Sequence, residues 1–418
     1  MATLRETLTI VKQMGDLFAG EVDAAGYSKY AFEPDNSPSD FAFLSTDAEM
    51  AREELIAAAE RVLLLARGPQ GSLGEYRQTG LVMGTVHSLI EMGIPELIPL
   101  GQAIHFEKLA RGAKMAVELL RRLVSLASAS GFLRRDGDYV RHSAMSACLV
   151  QDVYTADATR FMLGVDMRAN AYVAASVVRD PTGQTPESAP FALSLQASGP
   201  KPTTYWDFLE QNPIECRRFR QIMEKLSAAP TRSVAAVPMA FDWTQVNTVV
   251  DVGGSGGHAA LAITEQYKHL QITVQDLDEV LKQRPLLTSN DGSRISFMAH
   301  DFHLPQPIVA DAYLLRFVLH DWPDRVCQDI IRNLLPALRP GARVMVMELT
   351  LPEPGTLPGW LEKIMYINDI AMFALCSGQE RSVRQLRSLI ETCEPRLEFE
   401  AATTPPESHS TLLSWIMR

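Results

Sequence analysis

The feature that most constrains this chain is a change of rhythm at residue 246. From there, short β-branched runs alternate with helix-length segments: NTVVDV (247–252), QITVQD (271–276), RISFMA (294–299), AYLLRFV (312–318) and ARVMVME (342–348). Apolar runs this short, separated by a helix each time, pair in parallel through crossovers and bury both faces. The pattern predicts an α/β fold with a Rossmann-like, doubly wound sheet. Two later runs, LEFEAA (397–402) and TLLSWIM (411–417), are expected to add edge strands.

The first strand leads into Asp251-Val-Gly-Gly-Ser-Gly-Gly-His258, which opens a helix. Glycines there let the backbone turn sharply and approach a ligand. Gly254, Gly256 and Ala259 satisfy a loose dinucleotide fingerprint, and a plain tight turn has the same look. Three acids narrow the reading. Asp251 precedes the glycines, Asp276 closes the second strand, and Asp301-Phe302 follows the third. A carboxylate at Asp276 can bridge the hydroxyls of a ribose. Asp301 can accept from an adenine amino group while the Phe302 ring covers the base. Acids after three successive strands describe an adenosine site at the carboxyl edge of the sheet. Nothing in the loop demands a pyrophosphate.

The fourth strand runs into Leu315-Arg316-Phe-Val-Leu-His320-Asp321-Trp322-Pro323-Asp324. A histidine at a strand's carboxyl end can take a proton from a phenol or an enol. It can equally be a satisfied core histidine. Glu348 at the end of the fifth strand, and Glu380 in SGQERS, are acids able to fix the imidazole's tautomer from its far nitrogen. His300-Asp301-Phe302-His303 fits no zinc spacing, and no complete hydrolase elbow surrounds Ser255.

With these pieces in place, residues 247–382 resemble the plant and fungal caffeate-type class of small-molecule O-methyltransferases. The matching segments are VVDVGGSGGH, VQDLDEV, HDF, LLRFVLHDWPD, LRPGARVMVME and SGQERS, in that order. The likeness runs more loosely back through YWDFLEQNP (205–213) to residue 80. It implies S-adenosylmethionine as cofactor, with Gly253, Gly254 and Gly256 lining its loop, Asp276 on the ribose, and Asp301, Phe302 and Arg316 around the adenine. It implies His320 as general base, braced by Glu348 and Glu380, and no metal. Phe219 and Met223 of CRRFRQIM fall where the family lines its acceptor pocket, although ordinary helix core is an equal reading; Asp321 is assigned to the acceptor side with them. The acceptor would be a hydroxyl of a small aromatic or polyketide-like secondary metabolite. A homodimer is expected. Two positions depart from the plant pattern: Arg316 replaces a lysine, and Cys376 replaces an asparagine that contacts the acceptor, so acceptor identity does not transfer.

Three rivals stay open at this point. Some fungal relatives are pericyclases or dehydratases that bind the sulfonium without transferring methyl. A nicotinamide-dependent oxidoreductase shares the glycine turn. A non-catalytic regulator would use the N-terminal part instead.

That part reads as mostly helical. Residues 3–20 form an amphipathic helix, 24–45 a linker, and 46–67 a helix ending before Gly68-Pro69. Within a mainly helical 76–190, residues 104–135 run helix, helix, then a hairpin turning at Asp136-Gly137, which suggests a winged helix. Residues 180–204 read as a hinge loop and 205–235 as helix. The expected division is 1–75 for dimerisation, 76–235 for a winged-helix-like dimerisation and substrate-lid domain, and 236–418 for catalysis. Arg111, Lys114, Arg121, Arg122, Arg134 and Arg135 raise DNA binding, but a net charge of -11 opposes it. Five scattered cysteines without a CxxC pair indicate neither a zinc knuckle nor a disulfide framework. The N-terminus lacks a signal-peptide pattern and no run of about 18 apolar residues occurs, so no membrane contact and a cytoplasmic location are expected.

Overall fold

The computed structural model describes residues 2–27, 30–34, 37, 41, 43–196, 203–228, 232–282, 294–406 and 408–418. Parts of the linker expected at 24–45, of the hinge at 180–204 and of the helix at 205–235 lie outside them. The chain forms two compact units, Met1–Gly164 and Val165–Arg418.

The first unit opens with α1 (Leu4–Ala24), whose start is fixed by a capping box between Thr3 and Glu6. Then comes α2 (Thr46–Glu91), which kinks at Gly68 (φ 65°, ψ 178°). The break falls where the sequence places a helix end, yet the helix resumes. Pro69 sits in the first turn of the new segment, where a missing N–H costs nothing. There follow α3 (Ile94–Leu97), β1 (Ile104–His105), α4 (Phe106–Gly112), α5 (Val117–Ala129), β2 (Leu133–Asp136), β3 (Tyr139–His142) and α6 (Ala144–Gln151). The three strands lie antiparallel in the order β1-β3-β2. The turn between β2 and β3 uses Gly137 at φ 55°. These elements close over Leu89, Phe106, Leu120, Leu133 and Val140. Arg121 and Arg135 lie across the Phe106 ring at 4.5 and 5.4 Å, so two cations of the basic run cover the core.

Helix α7 (Val153–Arg179) continues into the second unit, followed by α8 (Pro190–Gln196), α9 (Tyr205–Gln211) and α10 (Pro213–Ala228). The sheet region is β4 (Thr248–Val252), α11 (His258–Gln266), β5 (Gln271–Asp276), α12 (Asp278–Leu281), β6 (Ile295–Ala299), β7 (Ala312–Arg316), α13 (Asp324–Leu334), β8 (Arg343–Leu349), α14 (Gly359–Cys376), α15 (Val383–Cys393), β9 (Leu397–Thr403) and β10 (Ser410–Met417). The seven strands run β6-β5-β4-β7-β8-β10-β9. The first five pair in parallel, whereas β10 pairs antiparallel with both β8 and β9. Of the two late runs expected at the edge, β9 is there and β10 is inserted beside β8. Alternation builds two cores. Tyr313, Leu315, Val344 and Val346 face α13 and α15, and Ala312, Leu314, Met345 and Met347 face α11. Burial on both faces explains the continuous apolar runs. No described helix is long and apolar enough to cross a membrane.

Candidate active site

The parallel strands end at one edge of the sheet, and the loops that leave β4, β5, β6, β7 and β8 there carry most of the residues singled out above. The turn after β4 is held by main chain. Gly253 N and Gly254 N both donate to the Gln275 carbonyl, at 2.8 and 3.0 Å. Gly253 adopts φ 70°, a left-handed conformation that favours glycine. At Gly254 the need is space: a Cβ there would stand 2.5 Å from Asp251 Oδ2 and 2.8 Å from Val274 Cγ1. Gly256 is buried in the same turn.

Asp276, at the end of β5, accepts from Ser255 N at 2.9 Å and Leu277 N at 2.8 Å, so the glycine turn and the acid hold each other. Burial nevertheless raises its pKa, against those two backbone donors. Asp301 accepts from His303 N at 2.9 Å, which shapes the turn after β6. Phe302 packs over the glycine turn, its Cε1 3.7 Å from where a Gly253 Cβ would be. Asp251 is buried, and its Oδ2 has no partner among the described residues. Burial pushes its pKa up to about 7, against the opposing charge of Arg316. Burial in turn lowers the Arg316 pKa to about 10. A sterically tight glycine cradle and a buried unpartnered carboxylate oxygen fit a cationic adenosyl ligand.

Beyond β7 the backbone is strained: Phe317 holds φ 52°. Two devices maintain this conformation. Glu348 Oε1 accepts from Val318 N at 3.1 Å and Leu319 N at 2.9 Å. The segment after α14 clamps the other side, with Gln379 N donating to the His320 carbonyl at 2.9 Å. Arg381 donates to the Leu319 and Trp322 carbonyls at 2.9 and 2.8 Å. Gly378 is pressed so close that a Cβ would stand 2.1 Å from the His320 carbonyl oxygen. Gly378 and Arg381 escaped the sequence reading; the only signal for them is their place in SGQERS.

His320 Nδ1 lies 3.1 Å from Glu380 Oε1, and Nε2 lies 3.5 Å from Asp321 Oδ1. Glu380 is itself fixed, its N–H donating to Asp369 Oδ1 at 2.9 Å. Glu348 does not brace the ring directly. Its hydrogen bonds among the described residues go to backbone amides, although side-chain N and O atoms of His320, Glu348 and Glu380 all lie within 4.8 Å of one another. Burial alone would lower the His320 pKa, but the charges of Asp321, Glu348 and Glu380 and the Glu380 hydrogen bond outweigh it and raise it to about 10. Burial raises Asp321 to about 6 and Glu348 to about 7, against the charge of His320.

Aromatic rings stand beside this cluster. Trp206 stacks on Trp322 (5.9 Å between centroids, 28°). Phe219 meets Tyr205 and Trp206 edge to face at 5.9 and 6.0 Å. Met223, one turn further along α10, is 37% exposed and so is not core. Cys376 is buried at the end of α14, its thiol against the Met372 carbonyl at 3.2 Å. A separate cleft of about 590 Å³ between α7 and α14 is lined by Asp166, Asn170, Lys363 and Tyr366 and does not include His320.

Residues 185–393 match the model of the O-methyltransferase domain. The chain is 45% identical to the O-methyltransferase FrzF of Cladobotryum sp, over 100% of this chain and 99% of that protein. The chain belongs to the O-methyltransferase family. This methyltransferase is also 37% identical to 6-hydroxytryprostatin B O-methyltransferase of Neosartorya fischeri, over the full length of both. The fold of OxaC superposes with a TM-score of 0.73 at 19% identity, covering 99% of this chain and 100% of that one. The methyltransferase uses S-adenosylmethionine and transfers its methyl group to an oxygen. The pericyclase, oxidoreductase and regulator alternatives gain no support from these relatives.

Proposed function

We propose that His320 is the general base that deprotonates the acceptor hydroxyl, with Glu380 orienting its ring and Glu348 holding the loop that carries it. The observation behind this reading is the pair of contacts on the imidazole. Nδ1 is engaged by a buried, anchored carboxylate, which leaves Nε2 as the nitrogen that can take a proton. Asp321 beside Nε2 is placed to hold the same hydroxyl.

Gly253, Gly254, Gly256, Asp276, Asp301, Phe302 and Arg316 would hold the adenosyl part of the cofactor. When bound, S-adenosylmethionine supplies an activated methyl group on a positively charged sulfur. A positive charge near the imidazole opposes its protonation, so His320 moves from its raised pKa of about 10 toward the neutral state a base needs. The hydroxyl proton then passes to Nε2 while Asp321 and the aromatic side chains fix the acceptor's position. General-base help of this kind is worth about 10²–10⁴-fold, with alignment supplying much of the rest. Phe219 and Met223 are assigned to the acceptor side.

The acceptor class, a hydroxyl of a small aromatic or polyketide-like secondary metabolite, follows a relative that acts on 6-hydroxytryprostatin B, a hydroxylated compound. Exposed apolar side chains on α1 and α2, among them Leu17 (58%), Leu73 (70%) and Tyr76 (79%), support a homodimer formed through residues 1–75 and the winged-helix-like region to residue 235, with residues 236–418 catalytic.

The test mixes the protein with S-adenosylmethionine and a panel of phenols, hydroxypyridones and polyketide enols, with mass spectrometry of each acceptor. A methylated product with matching S-adenosylhomocysteine, absent with His320→Ala, is expected. An acceptor that isomerises or loses water with no nucleoside product would overturn methyl transfer.

A further inference from the structure

Two buried donors beside the His320 cluster have no partner among the described residues. The Tyr205 hydroxyl and the Trp206 indole N–H are both shielded from solvent, and neither makes a hydrogen bond among the described residues. Tyr205 as a whole is 3% exposed. Orphaned buried donors are uncommon, because each forfeits its hydrogen bonds to water. Local sequence does not leave these side chains free to swing away. Thr204 caps α9 through a reciprocal pair with Asp207, which sets Tyr205 and Trp206 as its first two residues. The Tyr205 ring is then wedged edge to face against Phe191 at 5.6 Å and Phe219 at 5.9 Å. Trp206 is held by its stack on Trp322, two residues past His320.

Their surroundings say what they await. Burial first, then the nearby Cys376 and Asp321, raises the Tyr205 pKa well above its ordinary value, so the phenol keeps its proton and donates. The other polar groups near His320 are mostly carboxylates, Asp321 and Glu380, which accept. A ligand hydroxyl is served by His320 and Asp321. Carboxylate oxygens of Glu348 and Glu380 are also unpaired there among the described residues. The Tyr205 and Trp206 donors are a separate, additional need, and they call for an acceptor atom on the ligand.

We infer that Tyr205, seconded by Trp206, is a specificity-determining residue that hydrogen-bonds a carbonyl oxygen of the methyl acceptor, so that the acceptor is a flat hydroxylated ring system that also carries an amide, lactam or quinone carbonyl. This rests on the acceptor site being beside His320, as proposed above. The phenol adds an interaction that a phenylalanine of the same shape would not. A site built to hydrogen-bond a substrate group discriminates against analogues lacking it, because its own buried donor is then left unpaired.

The experiment measures binding to the protein saturated with S-adenosylhomocysteine, by calorimetry. The two ligands are β-naphthol and the hydroxyquinolone of the same two-ring outline, which adds a lactam carbonyl. The wild-type protein is expected to bind the hydroxyquinolone roughly tenfold more tightly, the usual worth of one such bond. Tyr205→Phe, which keeps the ring against Phe191 and Phe219, is expected to erase that preference. Trp206→Phe should reduce it by less. Equal affinities in the wild type, no binding of the hydroxyquinolone, or a preference that survives Tyr205→Phe each overturns the inference. Methyl transfer to the same two ligands is read separately. A hydroxyquinolone bound through Tyr205 but never methylated would count against the catalytic reading and leave this one standing.

Discussion

At the ends of β4 and β5 the holding is done by main chain. Glycine amides reach the Gln275 carbonyl, and Asp276 is tied to the amides of Ser255 and Leu277. Around His320 the holding is done by side chains, as Glu348, Glu380 and Arg381 pin a strained loop from three directions. The first region depends on the absence of side chains, the second on buried charge. If the turn holds the cofactor as proposed, a backbone cradle suits that role, since it has few ways to vary. Under the proposed reading, a reactive centre around His320 suits side chains, whose pKa values and shapes can be tuned.

This contrast can be broken in order of expected effect. Gly254→Ala should be most severe. Its Cβ would collide with Asp251 and Val274, which face it from the strands themselves. Cofactor-product affinity, followed by calorimetry, should fall by more than about 100-fold. Retained affinity would show that the cradle tolerates side chains. Glu380→Gln should lower turnover by about 10- to 100-fold, as loss of an orienting partner commonly does. Removing that charge also lowers the His320 pKa, so the rise of activity with pH should move to lower pH. An unmoved profile would mean that Glu380 acts on position alone. Asp276→Asn should be milder, weakening cofactor binding about tenfold.

The smallest effect concerns stability. Asp251 has a folded-state pKa of about 7 against an ordinary 3.8. Folding therefore favours its protonated form. That contribution is present below pH 3.8 and is lost as pH rises through about 7. Asp251→Asn should flatten this part of the unfolding midpoint's pH dependence in the cofactor-free protein. An unchanged slope would assign the effect to the other buried acids.

Legibility in the sequence follows the same contrast. The cradle was legible because its parts are local: a strand, a glycine turn and an acid at the next strand's end. The five parallel strands were equally plain, since double-sided burial writes itself as β-branched runs. The place of β10 beside β8 was not, because strand order is set by packing across the sheet. Gly68-Pro69 signalled a break in α2 but not the resumption beyond it. Glu348 was expected on the imidazole and instead holds the amides before it, a distinction no spacing encodes. Gly378 is required by a carbonyl at His320, far away in the chain. Tyr205 and Trp206 look like ordinary helix core until their unpaired donors are seen in place.

The central claim is that His320 performs the chemistry while the glycine cradle performs the holding. The most direct measurement compares turnover and S-adenosylhomocysteine affinity in the wild type and His320→Gln under the same conditions. Turnover should fall by about 10²–10⁴-fold while affinity changes less than about twofold. Retained turnover, or an affinity that falls in step with it, would contradict the account.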